Sequence, residues 1–456
     1  MRTTRLDYER RRDALAAAMK ATSHHVALQK STSNLFRARH QGAVARIDVR
    51  GLDHVIDIDE EALVLDVEGM TTYEAIVRET LAVGLMPPVV PQLKSITIGG
   101  GISGLAIESS SWREGLTHES VLEMDVLTAS GDVVTCSKNQ HRDLFYAMPN
   151  SYGTLGYILR VKVPLRRVKP FVHLRNIRFD SSELLMRELT ALCESGRYQG
   201  EAIDFVDGMV ISPSEQYVTI GTQVDDAPYT SDYTYMNVYW RSIPSRDDDY
   251  LTIEDYIWRW DTDWFWCSKN VGADRPLMRR VLGRQRLGSK TYQRLMRFEG
   301  KYQLLEKTLK LVGTHQPREA VIQDVQLPNA QVARFLDFFH ETIGINPIWL
   351  CPTRALPVGK QWPWTLYPMK AGELYVNVGF WDTVPTTHGA TTGHYNRLIE
   401  RQLMTMDGTK SLYSDSYYSR LEFEKLYNYA DYQPIKQTYD PHGRFKDLYD
   451  KCVKRK

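Results

Sequence analysis

The chain has 456 residues, with 57 Lys and Arg against 56 Asp and Glu, and is 43% apolar and 25% charged. Its length calls for two or three domains, and its near-neutral balance excludes a dedicated nucleic-acid binder, which carries a strong basic excess. No run of eighteen apolar residues occurs, so no membrane-spanning helix is expected.

Residues 1–21, "MRTTRLDYERRRDALAAAMKA", read as a charged amphipathic helix rather than a secretory signal, which needs an apolar stretch before its cleavage site. Short strands are predicted over 44–50, 54–59 and 62–69. A helix comes next over 71–85, where Tyr73, Ile76, Val77, Leu81 and Leu85 share a face; the prolines of "MPPVVP" stop it. "LEMDVLTASGDVVTCS" is a hairpin across a Ser-Gly turn. A basic, proline-marked exit places a domain boundary at 168. Beyond it, strands such as 319–328 and 372–381 alternate with helices such as 329–344, the pattern of an α+β domain over 169–415. Residues 416–456 read as short helices and turns folding back on the first domain, 1–168. The five cysteines are far apart, with no C-x-x-C pair, which predicts reduced thiols in a cytoplasmic protein and no metal site.

Residues 96–111, "ITIGGGISGLAIESSS", contain Gly99-x-Gly101-x-x-Gly104. A doubly wound dinucleotide fingerprint needs a strand before this motif and a helix opening at its last glycine. The strand is there, but "LAIESSSWREGLTHES" has three consecutive serines, Gly115 and no apolar stripe, so a helix and the doubly wound reading are rejected. Glycine-rich turns without a helix can still cradle a diphosphate on successive backbone N–H groups. Upstream, Lys30, Ser31, Thr32, Ser33 and Asn34 form a second compact set of donors just after an apolar strand. Two such loops together are more specific than either alone.

The run from "VIDIDEEALVLDVEG" through "DLFYAMPNSYGTLGYI" resembles the FAD-binding domain of the vanillyl-alcohol-oxidase-like flavoproteins. With "QDVQLP", "INPIWLCP" and "GELYVNVG", the similarity extends over nearly the whole chain to the Δ24-sterol reductase group and its bacterial methylene-fatty-acyl reductase relatives. The resemblance implies an α+β fold: a PCMH-type FAD-binding domain of two α+β subdomains plus an α+β cap that binds substrate. It implies that Lys30, Ser31, Thr32, Ser33 and Asn34 hold the FAD diphosphate. Thr97, Ile98, Gly99 and Gly100, with Ser103, Gly104 and Ile107, would line the other side, and Gly153, Gly156 and Ile158 would lie near the adenine and ribose. The first loop lacks the histidine through which many relatives attach FAD, so non-covalent FAD is expected. NADPH is the expected electron donor, and a lipid-like alkene the expected substrate.

Hydride addition to an isolated alkene needs a proton donor, because no carbonyl delocalises the developing charge. Candidates are Glu108, which otherwise caps backbone N–H groups, and Asp324, which interrupts an apolar strand and otherwise pairs with an arginine. Tyr375 and Asn377, alternating on one strand, either face the pocket or form an exposed polar face. Trp258, Trp260, Trp264 and Trp266, followed by a basic run, read as a bilayer-facing belt, the buried cluster or an NADPH phosphate site being the alternatives. Peripheral contact with the inner face of a membrane is therefore expected. The rival functions are an alcohol oxidase or dehydrogenase and a flavin-free binding protein.

Overall fold

The computed structural model describes residues 2–33, 36–37, 45–302, 317–356, 364–367, 369–386 and 391–453. Its first half is organised by a five-stranded, wholly antiparallel sheet. The spatial order is Val55–Asp59, Val64–Glu68, Tyr157–Pro164, Glu123–Leu127 and Val133–Ser137. The antiparallel pairing rules out a doubly wound fold, which requires parallel strands. The helix Tyr73–Leu81 starts at Thr72, whose side chain accepts from the Ala75 N–H, and buries Tyr73, Ile76 and Val77.

One buried cation ties this sheet to the first helix, Arg5–Lys20. Arg160 is 1% exposed; its Nε donates to Asp125 at 2.8 Å and its Nη1 to Asp66 at 3.0 Å, and Glu123 completes the set. Tyr8 of the helix donates its hydroxyl to Asp125 at 2.6 Å. Paired this fully, the charge is tolerable in a low-dielectric core.

The second half is built on an eight-stranded sheet in the order Asp248–Thr252, Phe171–Phe179, Glu215–Val224, Phe205–Ser212, Ile348–Arg354, Leu374–Pro385, Arg318–Pro328, Thr409–Lys410. Period-2 alternation gives it two unlike faces. One carries Val206, Val218, Ile220, Leu350, Val376 and Val378, covered by the helices Ser182–Ser195, Val332–Thr342 and His394–Met404. The other carries Asp207, Trp349, Cys351, Asn377, Trp381 and Asp324, and its apolar members join the core of the five-stranded sheet. The whole is mixed helix and sheet, an α+β fold.

Two expectations are corrected by these elements. The glycine motif is not a helix-free loop: Ile98–Gly104 is a seven-residue helix ending at Leu105, which takes a left-handed φ of 61°. Glycine is used because the backbones crowd together; a Cβ on Gly99 would lie 2.8 Å from the Gly69 carbonyl oxygen. The Thr97 cap, accepting from the Gly100 N–H, offsets part of the helix cost of glycine. Past Leu105 no long helix forms, as expected: the serine-rich stretch yields only the single turn Ser111–Glu114. The tryptophan tract does not face a bilayer. Trp258, Trp260, Trp264 and Trp266 are all under 5% exposed and pack as core, with Trp260 stacked on Phe265 at 4.7 Å.

Candidate functional site

Four segments distant in sequence meet at the end of the glycine helix. Tyr152 is at the centre: its N–H donates to the Ser103 carbonyl and its hydroxyl to the Gly104 carbonyl. The Arg37 guanidinium lies over its ring at 4.9 Å. Arg37 in turn donates to the Lys451 carbonyl at 2.6 Å, and Lys451 Nζ donates to the Gly153 carbonyl at 3.4 Å. Lys436 Nζ reaches the Thr154 carbonyl at 2.7 Å. Backbone bridging of Phe36 to Ser414 and of Ser416 to Val453 closes the ring of segments.

The electrostatics of this cluster are unbalanced. Arg37 and Lys451 form no ion pair with a carboxylate among the described residues, although Lys436 is paired with Asp440. Burial, then the Arg37 charge, and further on those of Lys30 and Lys436, push the Lys451 ammonium down to about 7; the nearby Cys452 opposes them. The hydroxyls of Ser33, Ser151, Ser414 and Ser416 are buried without a hydrogen-bond partner. Such groups are normally satisfied. Asn150, Tyr152 and Gly153 all adopt positive φ, at 61°, 49° and 73°, a run of left-handed backbone that costs roughly 1–3 kcal/mol per non-glycine residue. Excess positive charge, orphaned hydroxyls and a strained turn fit a polyanionic group such as the diphosphate of FAD.

The predicted cofactor residues divide against this geometry. Lys30, Ser31, Thr32 and Ser33 lie in the chain leading into Phe36 and Arg37; Asn34 lies outside the described residues. Thr97, Ile98, Gly99 and Gly100 do not form a nest of free donors. The Ile98 and Gly99 N–H groups donate to the Thr71 and Gly69 carbonyls, and Gly100 N–H to Thr97 Oγ1. Ser103 returns its hydroxyl to the Gly99 carbonyl at 2.8 Å, while Gly104 touches Tyr152. Ile107 is buried at 8% exposure just beyond the helix. Gly153 belongs to the strained turn. Gly156 is present because a Cβ would strike Val126 at 2.4 Å, and Ile158 backs the glycine helix at Gly99. Arg37, Asn150, Ser151, Tyr152 and Lys451 were missed; the signal available was "NSYG", a cluster of turn formers between a helix and a strand.

The second part of the site lies on the inner face of the eight-stranded sheet. Asp324 has no arginine partner among the described residues. It accepts from Asn377 Nδ2 at 2.6 Å and from the Tyr413 hydroxyl, and burial raises its carboxyl to about 6 against the pull of those two bonds. Trp381 Nε1 donates to the Tyr413 hydroxyl at 2.8 Å. Tyr413 also accepts the Phe36 N–H on its carbonyl at 2.9 Å, so the acid and the first loop share one residue. Cys351 is the register partner of Asn377. Glu108, by contrast, is locked in a buried triad: Arg259 Nη2 donates to Glu108 at 2.7 Å and to Asp207 at 2.9 Å. Burial and the Asp207 charge raise its pKa, with Arg259 opposing them. The triad clamps the glycine-motif segment to the sheet. Tyr375 is on the same face as Asn377, yet its hydroxyl accepts from the Lys370 N–H at 3.3 Å, in the turn before its own strand. That tie takes it away from Asp324.

An FAD binding domain matches residues 9–137. The chain thus carries an FAD-binding domain and is an FAD-dependent oxidoreductase. Over nearly its whole length it is similar to Delta(24)-sterol reductases: 26% identical to that of Rattus norvegicus, over 88% of this chain and 76% of the relative, and 25% identical to that of Arabidopsis thaliana, over 92% and 77%. Cytokinin dehydrogenase 3 of Arabidopsis thaliana is 29% identical over only 35% of this chain and 30% of its own length. Among the described residues no helix is long and apolar enough to cross a membrane.

Proposed function

We propose that this enzyme reduces a carbon–carbon double bond in a lipid-like substrate, a methylene-branched acyl chain or a sterol side chain, using non-covalent FAD and NADPH as electron donor. Its parts would be an FAD-binding region over 1–168, a substrate cap over 169–415 and a C-terminal segment, 416–456, that completes the cofactor site. Bound and reduced, the flavin supplies a hydride equivalent. The residues that would hold its diphosphate are Lys30 to Ser33, Arg37, Ser151 and Lys451, since the Arg37 and Lys451 cations and the unpartnered hydroxyls of Ser33 and Ser151 collect there. The Ile98–Gly104 helix would act by shape, presenting a surface without side chains.

The observation that carries the reading is the Asp324 site. An alkene takes up two electrons and two protons, and one proton must arrive as the hydride does. Asp324, raised to about 6, keeps a protonated fraction near neutral pH. Asn377 donates to one of its oxygens and fixes the carboxyl plane; Tyr413 and Trp381 extend the network. Phe265, 5.2 Å from Trp349 and 4.8 Å from Trp381 between ring centroids, forms with them an apolar wall that excludes water. Glu108 is assigned to positioning through Arg259, and Tyr375 to the turn it bonds. The net reduction requires electrons to be returned to the flavin, the task given to NADPH. The same reading includes peripheral contact with a membrane from which such a substrate is drawn.

The test is anaerobic reoxidation of the NADPH-reduced enzyme by a panel of lipid alkenes, including phospholipids with a methylene branch and sterols with an unsaturated side chain. Loss of the alkene with return of the oxidised flavin spectrum is expected. Peroxide formation from alcohols, with no alkene turned over, would instead establish the oxidase or dehydrogenase reading that the partial similarity to cytokinin dehydrogenase favours.

A further inference from the structure

The helix Pro276–Leu282 is turned inside out. Arg279 is fully buried, its Nε donating to the Tyr235 carbonyl. Leu277 and Val281, one turn apart, are 72% and 67% exposed, and Met278 beside them is 38% exposed. An ordinary surface helix does the opposite. Arg275, Arg280, Arg284 and Arg286 flank these residues in sequence and are exposed. No acidic residue occurs between Asp274 and Glu299. Arg284 is paired with Asp232 at 2.6 Å, while Arg275, Arg280 and Arg286 form no ion pair among the described residues.

We propose that this face docks on an anionic phospholipid surface. Leucine, methionine and valine projecting from a short helix enter the boundary between headgroups and acyl chains, while the arginines meet lipid phosphates. Charge complementarity selects an anionic surface. The protruding aliphatic side chains favour a bilayer over a nucleic acid, whose backbone offers them nothing. The face is also near the proposed site: Tyr292, on the next helix Ser289–Tyr302, stacks on Trp264 at 4.7 Å, and the adjacent Phe265 touches Trp349 and Trp381. The lipid-substrate reading explains why the enzyme would use such a surface, but docking does not depend on it.

Sedimentation of the FAD-loaded protein with sucrose-loaded vesicles tests the proposal, comparing phosphatidylcholine alone with a mixture containing phosphatidylglycerol. The wild type should bind the anionic vesicles and not the neutral ones. L277D/V281D should abolish binding. R275Q/R280Q/R286Q should weaken it ~100-fold, at about fivefold per charge. All of these positions are exposed, so flavin absorbance and melting temperature should be unchanged and should report intact folding. Failure of the wild type to bind anionic vesicles overturns the proposal, as does wild-type binding by L277D/V281D. Capture of an acidic protein without vesicle binding also overturns it. Vesicle binding without alkene reduction would refute the proposed reaction and leave the docking face standing; turnover of dispersed alkenes without vesicle binding would do the reverse.

Discussion

Two buried cation centres in this molecule are built to opposite rules. Arg160 is met by Asp125, Asp66 and Glu123, with Tyr8 bonded to one of them, so every charge has a partner inside the protein. Arg37 and Lys451 lie together on backbone carbonyls, near Lys30 and the Asp440-paired Lys436, and neither has a carboxylate partner among the described residues. A closed set of charges holds a fold; an open set waits for a ligand. On the proposed reading, the difference separates a residue whose loss costs structure from one whose loss costs a cofactor.

Arg160→Met should have the largest effect. It strands three carboxylates at the sheet, and breaking a buried pair costs about 3–5 kcal/mol, enough to remove much of a domain's stability. Urea denaturation should show it, and a folded variant with an unchanged midpoint would erase the contrast. Next comes Asp324→Asn, which should lower alkene turnover by roughly 10²-fold or more while leaving flavin content intact. The wild-type rate should fall as pH rises through about 6, because only the protonated carboxyl can donate. The raised pKa means ionisation opposes folding, with a penalty that grows from the ordinary aspartate value to about pH 6 and persists above it. Asp324→Asn should therefore melt higher than wild type at pH 8.

At the open centre, Arg37→Met and Lys451→Met should each weaken FAD binding ~10- to 100-fold, the worth of one charge-assisted hydrogen bond. Folding, monitored by circular dichroism, should be kept. Lys451 in the cofactor-free protein holds its proton only below about pH 7. Binding a dianion restores it, so FAD affinity should decline from about pH 7 upward. Titration of flavin fluorescence across pH checks this, and a flat profile would remove Lys451 from the site. The smallest effect belongs to Tyr375→Phe, where loss of one partly exposed hydrogen bond should change turnover less than about twofold, at a stability cost near 1 kcal/mol.

Local pattern made the strands, the hairpin and the helix Tyr73–Leu81 readable, because alternation and capping are short-range signals. It misled at Ile98–Gly104, where propensity argues against a helix and close backbone packing against Gly69 and Ile158 decides. It misled again at the tryptophans, since composition does not say which side of a ring meets water. Asp324 was legible as a charge out of place in a strand, whereas its partner Tyr413 was not. The Arg37–Lys451 centre was invisible for a plainer reason: nothing in either neighbourhood hints at the other.

Arg37 and the Lys451 carbonyl it bonds are 414 positions apart. Closing so long a loop is entropically expensive and kinetically late. Flavin uptake should thus trail the assembly of both sheets, so that the appearance of bound yellow pigment during refolding times the last long-range closure of the polypeptide.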